Sequence, residues 1–442
     1  MKRCVVLLTV AIVLMIGIFT GCGKPPTEVP AEEITEETAL SVYMVQNDAL
    51  YGDALDGFRS REQAVALNVT TFRSCEAMLD GLNEAFQSGS GPDVVLYNSL
   101  QGEIDPYKLA ESGMFLPLEH LTGQFDPAVY PTALMEAGNI AGKQYFIPFS
   151  YNLIHAYTSE QRLAEMGYSS SDSLYETILG EAEALMDVPD CVPISVKVYR
   201  PDPVNSFFDA AGIDFFDESS REVTVDKAAL AEICRFVKLV YDNAEKNAVL
   251  SERVTRDFSG AAKSVSFFTE DISFMNMVRY YQSLFPAKAG SPMAAIPYHK
   301  LNNTQELCAS IVCFGGIGAN TKMPEKAYAL LKYILDYDVS SGWAPNEEVS
   351  TYYAPVSRAV FQKAVEKLSR TTGYGPVTIE PLTQENAEGL MGNARKITDA
   401  VIPNGTLGVR FEAILEPYFT GADSFENCYA ALLNELQRYL GE

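Results

Sequence analysis

The stretch from Gly142 to Tyr157 limits the folds open to this chain more than any other. It starts at a turn residue, Gly142, and runs through Tyr145, Phe146 and Ile147, aromatic and β-branched residues that favour a strand. Pro148 donates no ladder hydrogen bond and is expected to interrupt that strand. The polar pair Ser150 and Tyr151 follows, and then a second short extended run over residues 153–157. Two extended pieces joined by a proline-marked polar step suit a chain that leaves one sheet and enters another. An ordinary strand with a kink fits the same pattern.

What precedes this stretch argues for an α/β fold. Residues 41–46 alternate as a strand and end at a polar loop carrying Asn47, Asp48 and Tyr51. A helical segment over residues 55–67 leads to a second strand at 68–72. Ser74 is placed to cap the next helix, in which Met78, Leu79, Leu82, Ala85 and Phe86 share a face. Small residues at 88–92 stop that helix, and residues 93–96 form a short apolar strand opening on Tyr97, Asn98 and Ser99. This β–α–β–α–β succession predicts a mostly parallel sheet with helices on its faces. Ligands of such sheets collect beyond the carboxyl ends of the strands, which singles out Asn47, Asp48, Tyr51, Tyr97, Asn98 and Ser99. Asp48 suits a helix N-cap equally well.

Beyond the opening stretch, Ser173 and Glu176 form a capping box. A strand at residues 191–198 ends at Tyr199 and Arg200; the arginine fits a surface salt bridge as well as a ligand contact. Asp226 is placed to cap a long helix with one apolar face. The strand at 265–268 delivers Thr269, Glu270 and Asp271. Strands are also expected at 293–298 and 309–314, the latter followed by Gly315 and Gly316, whose bare backbone would admit a ligand. Pro324 opens another helix, and the chain from Ser357 onward reads as chiefly helical, with residues 423–426 capping the last helix.

At 442 residues the chain exceeds what one hydrophobic core usually serves, so two lobes are expected. The N-terminus reads as a processing segment: Lys2 and Arg3 precede an apolar run over residues 5–20, too short for a full membrane span. Residues 23–38 form an acidic tether stiffened by Pro25, Pro26 and Pro30. A formal charge of −25, with no offsetting basic cluster, argues against nucleic acid and against an anionic lipid surface as partners. Eight cysteines show no CxxC spacing, so zinc or thioredoxin-like chemistry is unsupported. The three histidines sit in no HExxH motif, there is no GxSxG elbow, and residues 315–318 fit neither the P-loop nor the dinucleotide fingerprint. Only a glycosidase, which needs no more than two carboxylates, escapes exclusion by motif.

Several marks, in order, resemble the extracellular solute-binding proteins of ABC importers, family 1, the group of maltodextrin- and oligosaccharide-binding lipoproteins. Phe19, Thr20, Gly21 and Cys22 resemble the lipobox, although Phe19 departs from the usual aliphatic residue. Residues 82–95 resemble the family's helix, small-residue turn and Pro-Asp-Val strand; residues 109–118 resemble its helix leaving through glycine. Residues 142–149 resemble its Gly-Lys-x-Tyr-x-x-Pro first crossover, and residues 209–216 and 322–325 also match.

The resemblance implies a two-lobed periplasmic-binding-protein-like fold of type II, with a hinge crossed several times, near residues 150–152, 305–309 and 352–356. It implies a signal peptide at 1–21, lipid on Cys22 and a tether over 22–40. One lobe would comprise 41–151 and 308–354, the other 152–307 and 355–442. The implied role is capture of a small solute, most often a mono- or oligosaccharide, and delivery to ABC permease subunits, by a monomer held to the extracellular face of the membrane. No enzymatic activity, cofactor or metal is implied. Ser150 and Tyr151 would face the cleft, with Tyr199, Arg200, Thr269, Glu270 and Asp271 on the opposite side. Trp343, the sole tryptophan, would stack a sugar or anchor a lobe. Two departures bear on a sugar ligand: Thr158 follows Tyr157 where the family often has asparagine, and Thr269 to Asp271 stand where it often has an aromatic platform. A ligand-presenting sensor subunit would share the same fold.

Overall fold

The computed structural model describes residues 39–46, 48–62, 65–122, 125–185, 188, 191–197, 203–243, 265–270, 274–301, 303–338, 353–374 and 377–442. Its strands, numbered along the chain, form two main sheets. The larger contains β1 (Leu40–Val45), β2 (Leu67–Phe72), β3 (Val94–Asn98), β6 (Phe146–Asn152), β13 (Leu307–Ile317), β14 (Ala354–Pro355) and β17 (Ile397–Val401). Its order is β14-β6-β13-β3-β1-β2, with β17 also paired to β13. The smaller sheet has the order β12-β7-β11-β8, from β7 (His155–Ser159), β8 (Val192–Lys197), β11 (Val265–Glu270) and β12 (Met293–Pro297). Among the described residues there are also three two-stranded hairpins: β4 (Asn139–Ile140) with β5 (Lys143–Gln144), β9 (Phe216–Asp217) with β10 (Glu222–Val223), and β15 (Gly373–Tyr374) with β16 (Val377–Thr378).

The parallel start is as expected. β1 pairs in parallel with β2 and with β3, joined by helices α1 (Ala49–Arg61) and α2 (Cys75–Gln87). Ser74 caps α2 through the Ala77 N–H at 3.2 Å, which satisfies one of the donors a helix start leaves unpaired. β3 and β13 are buried along their whole lengths, as strands covered on both faces must be. Two expectations at the start of the chain are corrected. The first helix begins at Ala49, capped by Asp48, so Tyr51 lies in its first turn rather than in a loop. β3 extends to Asn98, so Tyr97 is a strand residue.

The Gly142 to Tyr157 stretch does pass between sheets. β6 belongs to the larger sheet and β7 to the smaller, so the change occurs at Leu153 and Ile154. Both are buried apolar residues; the step is not the polar pair Ser150 and Tyr151, which still lies within β6. Pro148 does not interrupt the strand either. It sits opposite Phe314, and the register shifts beside it: Cys313 faces Ser150 and Phe314 faces Pro148, which leaves Phe149 as the extra residue of β6. A proline without a ladder donor is accommodated at such a bulge.

Later elements follow their signals with small shifts. Ser173 caps Leu174–Ala184 and Asp226 caps Lys227–Asp242. The last helix, Phe425–Gly441, is capped by Ser424, while Asp423 accepts from the Ser424 N–H and the Asn427 amide, both at 2.7 Å. β17 interrupts the region read as helical and joins the larger sheet beside residues 307–310. Among the described residues no helix is long and apolar enough to cross a membrane.

Candidate functional site

At the carboxyl ends of β1 and β3 the structure gathers a compact polar cluster. Asp48 is buried, and its Oδ1 accepts the Tyr51 N–H at 3.2 Å, while Oδ2 accepts the Asn98 amide at 2.7 Å. Burial raises the Asp48 pKa, and the Asn98 bond opposes the rise by favouring the charged form. Asn98 turns its Oδ1 to the Leu100 N–H at 3.0 Å, and Ser99 donates to the Ile311 carbonyl at 3.0 Å. The Tyr51 hydroxyl donates to the Tyr97 carbonyl and lies 3.1 Å from the Phe314 carbonyl, across the seam where β3 pairs with β13.

The cluster continues onto β6 through Cys313. Register places Cys313 opposite both Asn98 and Ser150. Its N–H donates to Ser150 Oγ at 3.2 Å. Burial pushes the Cys313 thiol well above its usual range. Asp48, Tyr51, Asn98, Ser99 and Ser150 thus meet around a cysteine that no sequence pattern marked. Only the register of three strands could have pointed to it.

The passage to the smaller sheet carries the next group. Tyr151 is buried, its ring 6.0 Å from Phe274 and 6.2 Å from Phe361, and Asn152 Oδ1 accepts the Phe274 N–H at 3.2 Å. His155 stacks on Phe274 with centroids 5.2 Å apart and planes within 8°. Its Nδ1 lies 3.0 Å from the Leu153 carbonyl and its Nε2 3.2 Å from the Asn393 amide, which sets the ring proton on Nδ1. In the smaller sheet Thr269 and Glu270 lie within β11. Thr269 Oγ1 is 2.9 Å from the Tyr298 hydroxyl, and Glu270 accepts from Tyr281 at 2.7 Å.

An aromatic stack stands beside Glu270 that the sequence reading missed. Tyr281 lies 4.6 Å from Tyr157 at 25°, Phe268 stacks at 5.9 Å, and half-buried Tyr280 meets Tyr281 edge-on at 5.4 Å. The helical spacing of residues 274–289 was the only signal for it.

Other expected site residues are placed elsewhere. Tyr97 is fully buried among Phe115, Phe146 and Phe314, stacking on Phe314 at 5.1 Å, and its hydroxyl has no hydrogen-bond partner. In a strand, successive side chains point to opposite faces, so Asn98 joins the cluster while Tyr97 enters the core. Gly315 and Gly316 are inside β13, not after it. A Cβ on Gly315 would meet Leu331, Leu96 and Phe149 within 3.1 Å, and one on Gly316 would meet Phe115 at 2.7 Å. Their bare backbone makes room for apolar side chains. Asn47, Tyr199, Arg200, Asp271, Trp343 and Cys22 lie outside the described residues.

The Tyr97 placement has a direct test. Tyr97→Phe removes a desolvated, unpaired hydroxyl and is expected to leave stability unchanged or raise it by up to ~1 kcal/mol. Tyr97→Ala is expected to cost about 3–5 kcal/mol by emptying the core. Urea unfolding measures both, and a clear loss in Tyr97→Phe would show that the hydroxyl has a partner.

No family model and no curated protein matches the chain by sequence. Its fold, however, matches solved structures over nearly its whole length. A periplasmic oligogalacturonide-binding protein from Yersinia enterocolitica superposes with a TM-score of 0.62 at 14% identity, covering 91% of this chain and 99% of the other. An ABC substrate-binding protein from Listeria monocytogenes, in complex with cycloalternan, gives 0.57 at 14% identity with the same two coverages, 91% and 99%. A structure described as a directed-evolution product of a de novo designed esterase gives 0.61 at 14%, covering 91% and 98%. The chain therefore has the two-lobed α/β, periplasmic-binding-protein-like fold of the ABC solute-binding proteins.

Proposed function

We propose that this chain is an extracellular, lipid-anchored solute-binding protein that captures a mono- or oligosaccharide and delivers it to an ABC importer. The observation that carries this reading is the whole-length fold likeness to proteins that hold oligogalacturonide and cycloalternan. The polar cluster around Asp48 and Asn98 supports it, because it lies beyond the carboxyl ends of parallel strands, where ligands of such sheets are held. In this reading Asp48, Asn98, Ser99 and Ser150 supply hydroxyl-binding groups from one lobe. Glu270 and Tyr280 supply a carboxylate and a ring from the other. Tyr199, Arg200, Asp271 and Trp343 join them.

The lobes are taken as 41–151 with 308–354, and 152–307 with 355–442 apart from β17, which pairs in the larger sheet, turning about the passage at Leu153 and Ile154. The apolar run over residues 5–20, the tether and lipid on Cys22 tie the body to the membrane. A ligand touching both lobes favours closure only by its differential affinity for the closed state, and permease subunits would engage that state. The protein acts by binding, without turnover.

Thermal-shift screening against neutral and acidic sugars, amino acids and polyamines tests the reading. A specific ligand at a hundredfold excess over its Kd adds about 2.7 kcal/mol of stability. At least one sugar is expected to raise the melting temperature. If only a non-sugar solute does so, the carbohydrate assignment is wrong; hydrolysis of any glycan in the panel would overturn binding without turnover.

A further inference from the structure

A second set of contacts joins the two bodies away from the passage at Leu153 and Ile154. Helix α3 (Pro106–Glu111) belongs to the connection between β3 and β6 of the larger sheet, as does the β4–β5 hairpin. The β9–β10 hairpin lies between β8 and β11 of the smaller sheet, and the C-terminal helix Phe425–Gly441 packs against β10. These pieces meet at the carboxylate of Asp105. One oxygen, Oδ1, accepts the Lys108 N–H at 3.0 Å, capping α3. The same oxygen accepts the Tyr439 hydroxyl at 2.8 Å and the Asn404 amide at 3.1 Å. Asn404 in turn caps the helix Gly405–Phe419 through the Leu407 N–H at 2.9 Å. The starts of two helices and the end of a third are therefore tied at a single atom.

The surroundings reinforce this knot from both sides. Tyr107, Phe216 and Tyr439 pack ring against ring, and the Lys108 ammonium lies 4.9 Å from the Tyr439 ring centre. Arg221, in the β9–β10 turn, reaches Glu111 of α3 at 3.5 Å and donates to the Leu440 carbonyl at 2.7 Å. Ala141, in the β4–β5 turn, donates its N–H to Glu218 at 3.2 Å. Backbone conformation supplies an independent observation. Ala141 and Arg221 are the non-glycine residues with positive φ among the described residues, at 50° and 57°. At Ala141 the two-residue β4–β5 turn itself calls for it, Gly142 following at +80°, while Arg221 holds it beside its contacts to Glu111 and Leu440. Both face this contact.

We propose that this contact is a latch between the lobes, made in the conformation described here and broken or reset when the lobes move. The latch sets the free-energy gap between the two arrangements, and through it the ligand affinity, without touching the ligand. The affinity consequence rests on the ligand-closure reading above; the conformational consequence does not.

Spin labels on Asn83→Cys and Ala164→Cys, both exposed positions on opposite bodies, report the ligand-free distance distribution. Asp105→Ala, which removes the accepting oxygen, and Tyr439→Phe are expected to deplete the distance population of the unmodified latch and to change sugar affinity by about 3- to 10-fold. Arg221→Gly relieves the positive φ while removing both arginine contacts, so it gives a second variant should the first two fail to fold. Glu412→Ala removes the acceptor of the Tyr241 hydroxyl within one body and is expected to leave the distances unchanged. If folded latch variants show the same distances as Glu412→Ala, the latch is ordinary packing and the proposal is wrong. Absence of any bound sugar would sink the ligand reading while leaving the ligand-free distances as a test of the latch.

Discussion

A Gly138→Ala variant is expected to lose about 3–5 kcal/mol of folding stability, a cost reached only when backbone must move. An added Cβ would stand 1.9 Å from the Phe146 carbonyl oxygen and 2.6 Å from the Gln144 amide nitrogen. The side chain of Gln144 can rotate away, but Phe146 cannot. The Tyr145 and Phe146 N–H groups both bond to the Gly138 carbonyl, at 3.0 and 3.2 Å, and Phe146 opens β6, which is paired with β13 on one side and β14 on the other. Gly142, at the tip of the same hairpin, makes the comparison. It has φ +80° and open space around it, so Gly142→Ala should cost only the conformational penalty, on the order of 1 kcal/mol. Urea unfolding of the two variants decides the matter; equal losses would mean that the approach of Gly138 to β6 is not rigid.

The second large effect is a dependence of stability on pH carried by His155. Its ring is buried against Phe274, and burial lowers its pKa to about 4 from the ordinary 6.5; the nearby His299 adds to this, while the bond to the Leu153 carbonyl opposes it. The folded state therefore refuses a proton that the unfolded chain accepts between these values. Stability from this residue is fully present above pH 6.5 and is lost as pH falls toward 4. Between pH 7 and pH 5 the expected loss is about 2 kcal/mol. Buried carboxylates such as Asp48 and Asp105, whose pKa values burial raises, pull the other way. The readout is therefore the difference between the native chain and His155→Gln, each unfolded in urea at both pH values. A His155→Gln variant with an unchanged pH slope would contradict a buried neutral imidazole at this position.

The polar cluster shows how far sequence reaches. Asp48 and Asn98 were readable because a polar residue just past a strand in a β–α–β succession has few places to go. Tyr97, one residue earlier, was read as their companion, yet the alternation of strand side chains sends it to the opposite face, among Phe115, Phe146 and Phe314. Gly315 and Gly316 illustrate a different gap. A glycine pair looks alike whether it admits a ligand or an apolar side chain, and here Leu331, Phe149 and Phe115 fill the space.

What the sequence by itself determined is local: the caps at Ser74, Ser173 and Asp226, the parallel β–α–β start, and a passage between sheets within residues 142–157. Those follow from propensity, periodicity and capping, which act over a few residues. What only the tertiary structure decided is long-range. Tyr51 reaches Phe314 across 263 positions, and Tyr439 reaches Asp105 across 334. Cys313 entered the polar cluster because β3, β6 and β13 pair in one register out of several the sequence allows. Register is set by the summed burial of whole strands, so no short stretch of sequence contains it.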